Sequence, residues 1–125
     1  MTTRGPAERR AAERRGHAAE WAAAALLRAK GYRIMQRRYR GPGGEIDLVA
    51  RRGRTIVFVE VKARPTLDDG AWSVTPEKRR RLVRAAEGWL MQNPELAGLD
   101  LRLDVILIAP GRLPRHLQNA FGEGE

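Results

Sequence analysis

The spacing of apolar and polar residues along the chain divides it into six predicted elements. Apolar residues recur at helical spacing in two segments, and in four shorter segments they alternate with polar residues or run without interruption. The predicted elements are a helix over residues 17–30, strands over 32–40, 44–50 and 58–62, a helix from 76 to near 93, and a strand over 101–109. A hairpin early in this order and a strand–helix–strand crossover late in it predict a mixed sheet flanked by helices.

Local signals mark the ends of these elements. Gly31 is suited to follow the first helix, because glycine accepts the left-handed backbone that often terminates helices. Thr75 and Pro76 are typical of a helix start, with threonine as N-cap and proline in the first turn. The segment 101–109 ends as a continuous apolar run, which indicates a strand inside the sheet. The predicted fold class is therefore α/β, a single domain with the order helix–strand–strand–strand–helix–strand.

The composition is that of one globular domain. The chain has 125 residues, 42% of them hydrophobic and 31% charged, which suits one ordinary core. We place an α/β domain at residues 17–121, between a basic segment at 1–16 and an acidic tail at 122–125. The basic segment is interpreted either as a mobile arm or as a frayed extension of the first helix. Without a signal-like segment or a long apolar run, the chain is expected to be soluble and cytoplasmic.

The charge balance predicts a polyanionic partner, whereas the lack of a long apolar run predicts no membrane. Lysine and arginine number 24 against 15 acids, giving a net charge of +9, and arginine binds phosphate through two parallel hydrogen bonds. High arginine and alanine content can also reflect the nucleotide composition of a genome, so the positions of the charges matter more than their total. The absence of cysteine excludes disulfides and thiolate chemistry, and the two distant histidines disfavour a zinc enzyme or a Ser-His triad.

The strands at 44–50 and 58–62 carry the candidate chemistry. Glu60 and Lys62 lie two residues apart in a strand, so their side chains share one face. If the intervening turn centres on residues 52 and 53, Asp47 lies opposite Phe58, and Glu45, opposite Glu60, joins the same face. The alternative interpretation of Glu60 and Lys62 is an exposed ladder of charges with no function.

Such a cluster is suited to Mg²⁺ or Mn²⁺, which take oxygen ligands and keep several waters. Beside a metal, the ammonium group of Lys62 can orient an attacking water and offset charge on a phosphoryl oxygen. Glu20, within an alanine-rich helix, is a further candidate ligand, because a buried carboxylate needs a partner; alternatively it faces solvent.

Two basic or flexible segments flank these strands. Cations crowd the first turns of the second helix, where they repel one another and meet the positive end of the helix dipole, so a phosphate backbone is one source of compensation and plain solvation is the other. The loop at 63–73 could clamp a substrate, although Trp72 within it could equally pack on the core.

Several stretches form a recognisable pattern: Gly-Glu-Ile-Asp-Leu-Val-Ala at 44–50, Phe-Val-Glu-Val-Lys-Ala-Arg at 58–64, Val74 with Lys78, Arg-Leu-Asp-Val at 102–105, and Asn-Ala-Phe at 119–121. They resemble the YraN-like family of small bacterial proteins, over about residues 16–121. That family looks like a member of the restriction-endonuclease-like superfamily and is similar to archaeal Holliday junction resolvases. Arg38 and Leu103 depart from the family pattern, where asparagine and phenylalanine are usual.

The resemblance implies roles for individual residues. Asp47 and Glu60 match the metal-binding acids of the superfamily, Lys62 matches its catalytic lysine, and Glu20 matches the acid on helix one. The backbone carbonyl of Val61 is implied as a further ligand. Because resolvase-like proteins cut two symmetric strands, the resemblance also implies a homodimer.

The sequence thus supports two functions from different classes. The first is a Mg²⁺-dependent or Mn²⁺-dependent endonuclease that hydrolyses DNA, including branched or structured DNA, and here we favour DNA over RNA. The residues expected to contact phosphates are Arg40, Arg64, Lys78, Arg79, Arg80 and Arg81. The second is a non-catalytic nucleic-acid-binding module on a nuclease-like scaffold, which would keep the basic surface without turning over a substrate.

Overall fold

The computed structural model describes residues 6–65, 67 and 75–120, with side chains from residue 16 onward. The elements are α1 (Pro6–Ala29), β1 (Arg33–Gly41), β2 (Gly44–Arg52), β3 (Thr55–Ala63), α2 (Pro76–Gln92), a short 3₁₀ helix (Pro94–Leu96), β4 (Asp100–Ile108) and β5 (Arg115–Leu117). Three features discussed from the sequence, namely Trp72, Val74 and the segment from Phe121 through the acidic tail, lie outside the described residues.

Within the described residues, five strands form one sheet in the order β1-β2-β3-β4-β5. Of these strands, β3 and β4 run parallel and are joined by α2, and the other neighbouring pairs are antiparallel. The predicted α/β class, with a mixed sheet flanked by helices, is confirmed and is consistent with a restriction-endonuclease-like fold. The structure adds β5, a three-residue edge strand too short to show a periodic pattern in the sequence.

Alternation along the central strands gives each helix its own core. Val57 and Val59 of β3 pack with alanines of α1, whereas Ile56 and Phe58 pack with α2. Trp89 anchors α2 on this second face. Its ring meets Phe58 edge to face at 5.7 Å between centroids, and its indole N–H donates to the Gln36 side chain at 2.9 Å. The two helices therefore cover opposite faces of the sheet.

Helix α1 begins at Pro6 rather than at residue 17, so the predicted start of this helix is wrong. Of the two interpretations of the basic segment, an extension of the first helix is the one observed from Pro6 onward. The segment before residue 17 consists largely of alanine, glutamate and arginine, which are strong helix formers and extend the helix without an apolar stripe. Its predicted end is correct. The Gly31 N–H donates to the Arg28 carbonyl and the Tyr32 N–H to the Leu27 carbonyl, and Gly31 has φ +89°. This is the Schellman arrangement that glycine permits.

The β2–β3 hairpin differs from its predicted register. The connection is Gly53-Arg54, and Leu48 pairs with Val59, so the partner of each β2 residue lies two positions further along β3 than expected. Gly53 has φ +60° and takes the first central position of the turn, where a type II′ turn requires glycine. A shift of two residues preserves the faces, so Glu60 and Lys62 still lie on the side of α2.

Both ends of α2 agree with the sequence. The Thr75 side chain accepts a hydrogen bond from the Lys78 N–H at 3.1 Å, and Pro76 occupies the first turn. Asn93 closes the other end, where its side-chain amide donates to the Trp89 carbonyl at 2.9 Å. Among the described residues, no helix combines the length and the apolarity needed to cross a membrane.

Candidate active site

The regular alternation of β2 breaks at Asp47. Leu48 packs in the core beneath α1, yet Ile46, two residues earlier, packs in the core beneath α2. In an unbroken strand these two side chains would lie on the same face. The neighbouring strand is irregular at the same level, since Arg38 has φ +55°, a left-handed conformation that is uncommon outside glycine. Because of this irregularity, the Asp47 side chain is turned away from the cores on both faces of the sheet.

The Asp47 carboxylate lies between β2 and β3. The backbone ladder between these strands runs from Arg52 and Thr55 only as far as Leu48 and Val59. Beyond that point the Val61 N–H donates to Asp47 Oδ2 at 2.7 Å, so a side chain replaces the missing backbone acceptor. Because the N–H and C=O of one residue point to the same side of a strand, the Val61 carbonyl also faces this gap.

Glu60 and Lys62 lie beside Asp47 on β3. The ammonium group of Lys62 is 2.7 Å from Glu60 Oε1, and both side chains are about one-quarter exposed (28% for Glu60, 23% for Lys62). With Glu45 and Asp47 they line an open cleft of about 640 Å³. The predicted grouping of these four side chains is therefore observed, although β2 is irregular at Asp47 and not the regular strand that was expected.

The opposite wall of the cleft is basic. It is formed by Lys78, Arg81 and Arg84 of α2, and Arg40 reaches it from the end of β1. Three of the predicted phosphate contacts, Arg40, Lys78 and Arg81, thus border the cleft. The others are not among its lining residues: Arg64, Arg79 and Arg80. The Arg64 guanidinium donates to its neighbouring Ala63 carbonyl at 3.0 Å.

The environment of Asp47 favours its neutral form. Burial raises the pKa of the Asp47 carboxyl, the charges of Glu60 and Glu45 raise it further, and the Val61 N–H and the Lys62 charge oppose this rise. The net shift is upward, and burial is its largest cause. A cation bound beside Asp47 would favour the charged form of this carboxyl.

The donor set fits a hard divalent cation only if it remains partly hydrated. Within the described part of the chain, no three His, Asp or Glu side chains are gathered closely enough to form a metal site by themselves. Mg²⁺, however, is commonly held by one or two carboxylates together with waters and substrate phosphates. Asp47, Glu60 and the Val61 carbonyl match that kind of site.

Glu20 lies on the other side of Asp47. It is only 9% exposed, and its carboxylate accepts from Arg38 Nε at 2.6 Å, so of the two alternatives the buried, partnered carboxylate is observed. Burial raises the pKa of Glu20, and the nearby Asp47 charge raises it further while Arg37 lowers it. Glu20 lines a second cavity, of about 400 Å³, which shares Arg40, Glu45, Ile46 and Asp47 with the cleft. Glu20 therefore approaches Asp47 but does not line the cleft that holds Glu60 and Lys62.

Of the other arginines at these cavities, Arg84 is one of the cations of α2 that were expected to face a phosphate backbone. Arg38 was not assigned a role from the sequence. The sequence marked Arg38 only as a departure from the asparagine usual in the family pattern, and its contact with Glu20 depends on the left-handed backbone at Arg38 itself.

A second polar cluster lies apart from the cleft, around Asp104 on β4. This carboxylate is fully buried and accepts from the Arg102 guanidinium, at 2.9 Å to each oxygen, and from the Asn119 N–H at 2.9 Å. His116 Nε2 lies 2.8 Å from Asp104 Oδ2, and His116 Nδ1 lies 2.9 Å from the Lys30 ammonium. Burial raises the pKa of Asp104, but these hydrogen bonds outweigh it and the net shift is downward. The Arg102–Asp104 spacing of two in a strand was the available sequence signal.

Comparison with known proteins identifies relatives without assigning a function. The model of the family described as "Uncharacterised protein family UPF0102" matches residues 19–108, a segment that includes Glu20, Asp47, Glu60 and Lys62. A UPF0102 protein of Rhodopseudomonas palustris (strain BisB18) is 60% identical over 114 residues, covering 91% of this chain and 84% of the relative. One from Bradyrhizobium sp. (strain ORS 278) is 58% identical over 114 residues, 91% of this chain and 81% of the relative. One from Nitrobacter winogradskyi is 57% identical over 106 residues, 85% and 90% of the two chains.

Proposed function

The chain belongs to the UPF0102 family, which is the YraN family, and we propose that it is a metal-dependent endonuclease that hydrolyses phosphodiester bonds in DNA. One observation carries the proposal. Asp47, Glu60 and Lys62 line one wall of a cleft whose other wall is formed by Lys78, Arg81 and Arg84. A phosphate between these walls would contact cations on one side. On the other side the carboxylates would repel it unless a cation were bound between them.

In this proposal Asp47 and Glu60 hold Mg²⁺ or Mn²⁺ together with the Val61 carbonyl, and Glu20 supports that ion or a second one. The ion, when bound, lowers the pKa of a coordinated water and stabilises charge on the phosphoryl oxygens. The chain's own groups do the remaining work. The Val61 N–H fixes one oxygen of Asp47, so this carboxylate is held in place at the cleft before any ligand binds.

Lys62 is assigned the orienting role. Its ammonium group has three donors, so it can retain the contact with Glu60 and still donate to a water or a phosphoryl oxygen. The basic wall, with Arg40 at the end of β1, holds the phosphates on either side of the bond to be cut. The substrate class includes branched or structured DNA, and the homodimer implied by the resemblance stays a prediction.

The second candidate is a nucleic-acid-binding module that does not turn over its ligand. One observation favours it: the lining of the cleft includes five lysine or arginine side chains against three acids, so the cleft can attract phosphates without a metal. In that case the acids would only weaken binding to phosphates, and neutralising them would leave binding equal or tighter.

The test is cleavage of single-stranded, duplex, flap and four-way-junction DNA with Mg²⁺ or Mn²⁺, using the native protein, Asp47→Asn, Glu60→Gln and Lys62→Met. Glu95→Gln, a neutralised carboxylate on the exposed surface of the 3₁₀ helix, is the matched control. We expect each site variant to lose at least about a hundredfold in rate, the control to retain activity, and EDTA to abolish cutting by all.

Circular dichroism of every variant would establish that the fold is intact. Cleavage retained in Asp47→Asn and Glu60→Gln would exclude this site. No cleavage by the native protein on any substrate, together with equal or tighter DNA binding by Glu60→Gln, would favour the binding module.

A further inference from the structure

Trp21 on α1 is an exposed aromatic residue with a cationic neighbour. Its side chain is 54% exposed on a helix whose other side is buried through Ala19, Ala23 and Ala24. The guanidinium of Arg37 on β1 lies 4.0 Å from the centroid of the indole ring. Neither residue contributes to the cleft or to the buried core, so the core does not account for a tryptophan at this position.

This pair lies close to the second cavity without lining it. Glu20 lines that cavity, and the Arg37 charge is near enough to lower the pKa of Glu20. The cavity extends from Glu20 to Asp47. Arg40 and Glu45 line both the cavity and the cleft, so the two spaces meet at Asp47. A strand that crosses Asp47 from the basic wall of α2 would therefore continue toward Trp21 and Arg37.

The chemistry of the pair selects a particular kind of ligand. Indole rings and guanidinium planes both stack on nucleobases, and such stacking tolerates any base because every base has a π-face. A base within a duplex is already stacked on its neighbours, so only an unpaired base can use the platform without a cost of unstacking. The net charge of +9 attracts the backbone that carries such a base.

We propose that Trp21 and Arg37 form a stacking platform for an unpaired nucleobase of the DNA strand whose phosphate lies at Asp47. The inference rests on the proposed function for the identity of the ligand, and it adds that the strand is single on the α1 side of the cleft. The substrate class is then DNA with an unpaired segment at the point of cutting rather than intact duplex. Trp21 and Arg37 would determine which DNA is preferred, because they contact an unpaired base and not the reacting phosphate.

The test measures binding without catalysis. Fluorescence anisotropy in EDTA would follow a labelled oligothymidine of twenty nucleotides and, separately, a hairpin duplex of equal charge, with the native protein, Trp21→Ala and Trp21→Phe. Met91→Ala, which truncates an 83% exposed apolar side chain near the end of α2, is the matched control. We expect Trp21→Ala to weaken single-strand binding about tenfold and duplex binding less than twofold. Trp21→Phe should retain most single-strand binding, and Met91→Ala should change neither.

Equal losses for both ligands in Trp21→Ala, or no loss for the single strand, would overturn the platform. The two proposals fail separately. A selective loss with Trp21→Ala in a protein that cuts nothing would keep the platform and refute the nuclease. Cleavage that depends on Asp47 and Glu60, with single-strand binding unaffected by Trp21→Ala, would keep the nuclease and refute the platform.

Discussion

At the scale of single residues, Asp47 has two opposed effects on stability, one from its hydrogen bond and one from its charge. Its hydrogen bond from the Val61 N–H completes the sheet where the β2–β3 ladder stops. Its charge is unfavourable in the folded protein, because burial and the neighbouring acids raise its pKa. Strain of this kind at one residue is common where a protein holds a group for chemistry rather than for stability.

Asp47→Asn should therefore stabilise the protein while abolishing activity. Asparagine keeps an oxygen to accept from Val61 but removes the charge. Since the folded-state pKa of Asp47 is raised, the cost of its ionisation is absent at acidic pH, grows through the ordinary carboxylate range and is complete above the folded-state pKa. Thermal unfolding should show a higher Tm for Asp47→Asn at pH 7 and no difference at acidic pH.

Glu87→Gln, an exposed neutralisation on α2, serves as the control and should match the native protein at both pH values. A lower Tm for Asp47→Asn at pH 7 would show that the charged carboxylate is the more stable partner for Val61.

At this scale, the sequence predicted the contacts that follow from the two-residue period of a strand. Glu60 and Lys62 share a face by simple alternation, and their close contact was predictable. The burial of Glu20 was left open, because alanines on every side of a helix do not show which side faces the core. The side on which Glu20 lies becomes clear only from its partner. That partner, Arg38, depends on a left-handed backbone that no local residue preference signals.

At the scale of elements, Asp104 joins β4 to the segments on either side of it. Its carboxylate forms hydrogen bonds with the Arg102 side chain of the same strand, with His116 of β5 and with the Asn119 N–H in the turn that follows. Arg102 also donates to the Tyr32 hydroxyl at 2.6 Å, which brings in the segment after α1. A buried carboxylate with this many donors fixes the short edge strand β5, which has few apolar contacts of its own.

Asp104→Ala should destabilise the protein by about 3–5 kcal/mol, the usual cost of breaking a buried ion pair, because it leaves Arg102 and His116 without their acceptor. The matched control is Asp100→Ala, at an exposed position of the same strand, for which we expect a change within about 0.5 kcal/mol. Urea unfolding monitored by tryptophan fluorescence measures both. Similar small losses for the two variants would mean that the Asp104 contacts contribute little net stability.

The β1–β2 hairpin is fixed against α2 by a glycine. A Cβ atom at Gly43 would lie 2.5 Å from the Arg84 carbonyl oxygen, a backbone atom that cannot move aside without shifting α2. This close approach places the turn at the rim of the cleft, beside the basic wall.

Gly43→Ala should cost about 1–3 kcal/mol, as overpacking against backbone usually does. Gly98→Ala is the control, since a Cβ there meets nothing within 4 Å and its backbone is not left-handed, so its stability should be unchanged or slightly higher. Comparison of the two by thermal unfolding checks the packing. Equal stability would indicate that the hairpin can lift from α2 freely.

The element order was predictable because each segment carries its own period and its own caps. Thr75 and Pro76 fixed one end of α2, and Gly31 fixed the end of α1. The start of α1 was missed because helix propensity without an apolar stripe leaves no periodic pattern. The β2–β3 register was missed by two residues because a single glycine fits either central position of a turn, and only the observed φ decides between them.

At the scale of the whole molecule, the crossover from β3 through α2 to β4 brings charges of opposite sign to one cleft. The acids come from strands and the cations from the first turns of α2, where they oppose the helix dipole and one another. Sequence analysis could assign each group to its element but not the distance across the cleft, because that depends on how the hairpin and α2 pack on the sheet. A polyanion in the cleft would relieve the repulsion on α2.

This arrangement predicts where the salt dependence of DNA binding originates. Each phosphate neutralised by the protein releases counterions, and loss of one contact reduces the slope of log K against log salt by about 1. Arg81→Gln should show that reduction, because Arg81 lines the cleft. Arg54→Gln removes the same charge at the opposite end of β3, about 20 Å from Glu60 at the usual rise per residue. It should weaken binding slightly and leave the slope unchanged.

Anisotropy titrations of duplex DNA in EDTA at several salt concentrations measure both slopes. Equal reductions would mean that DNA is held by the overall charge of +9 rather than by the cleft.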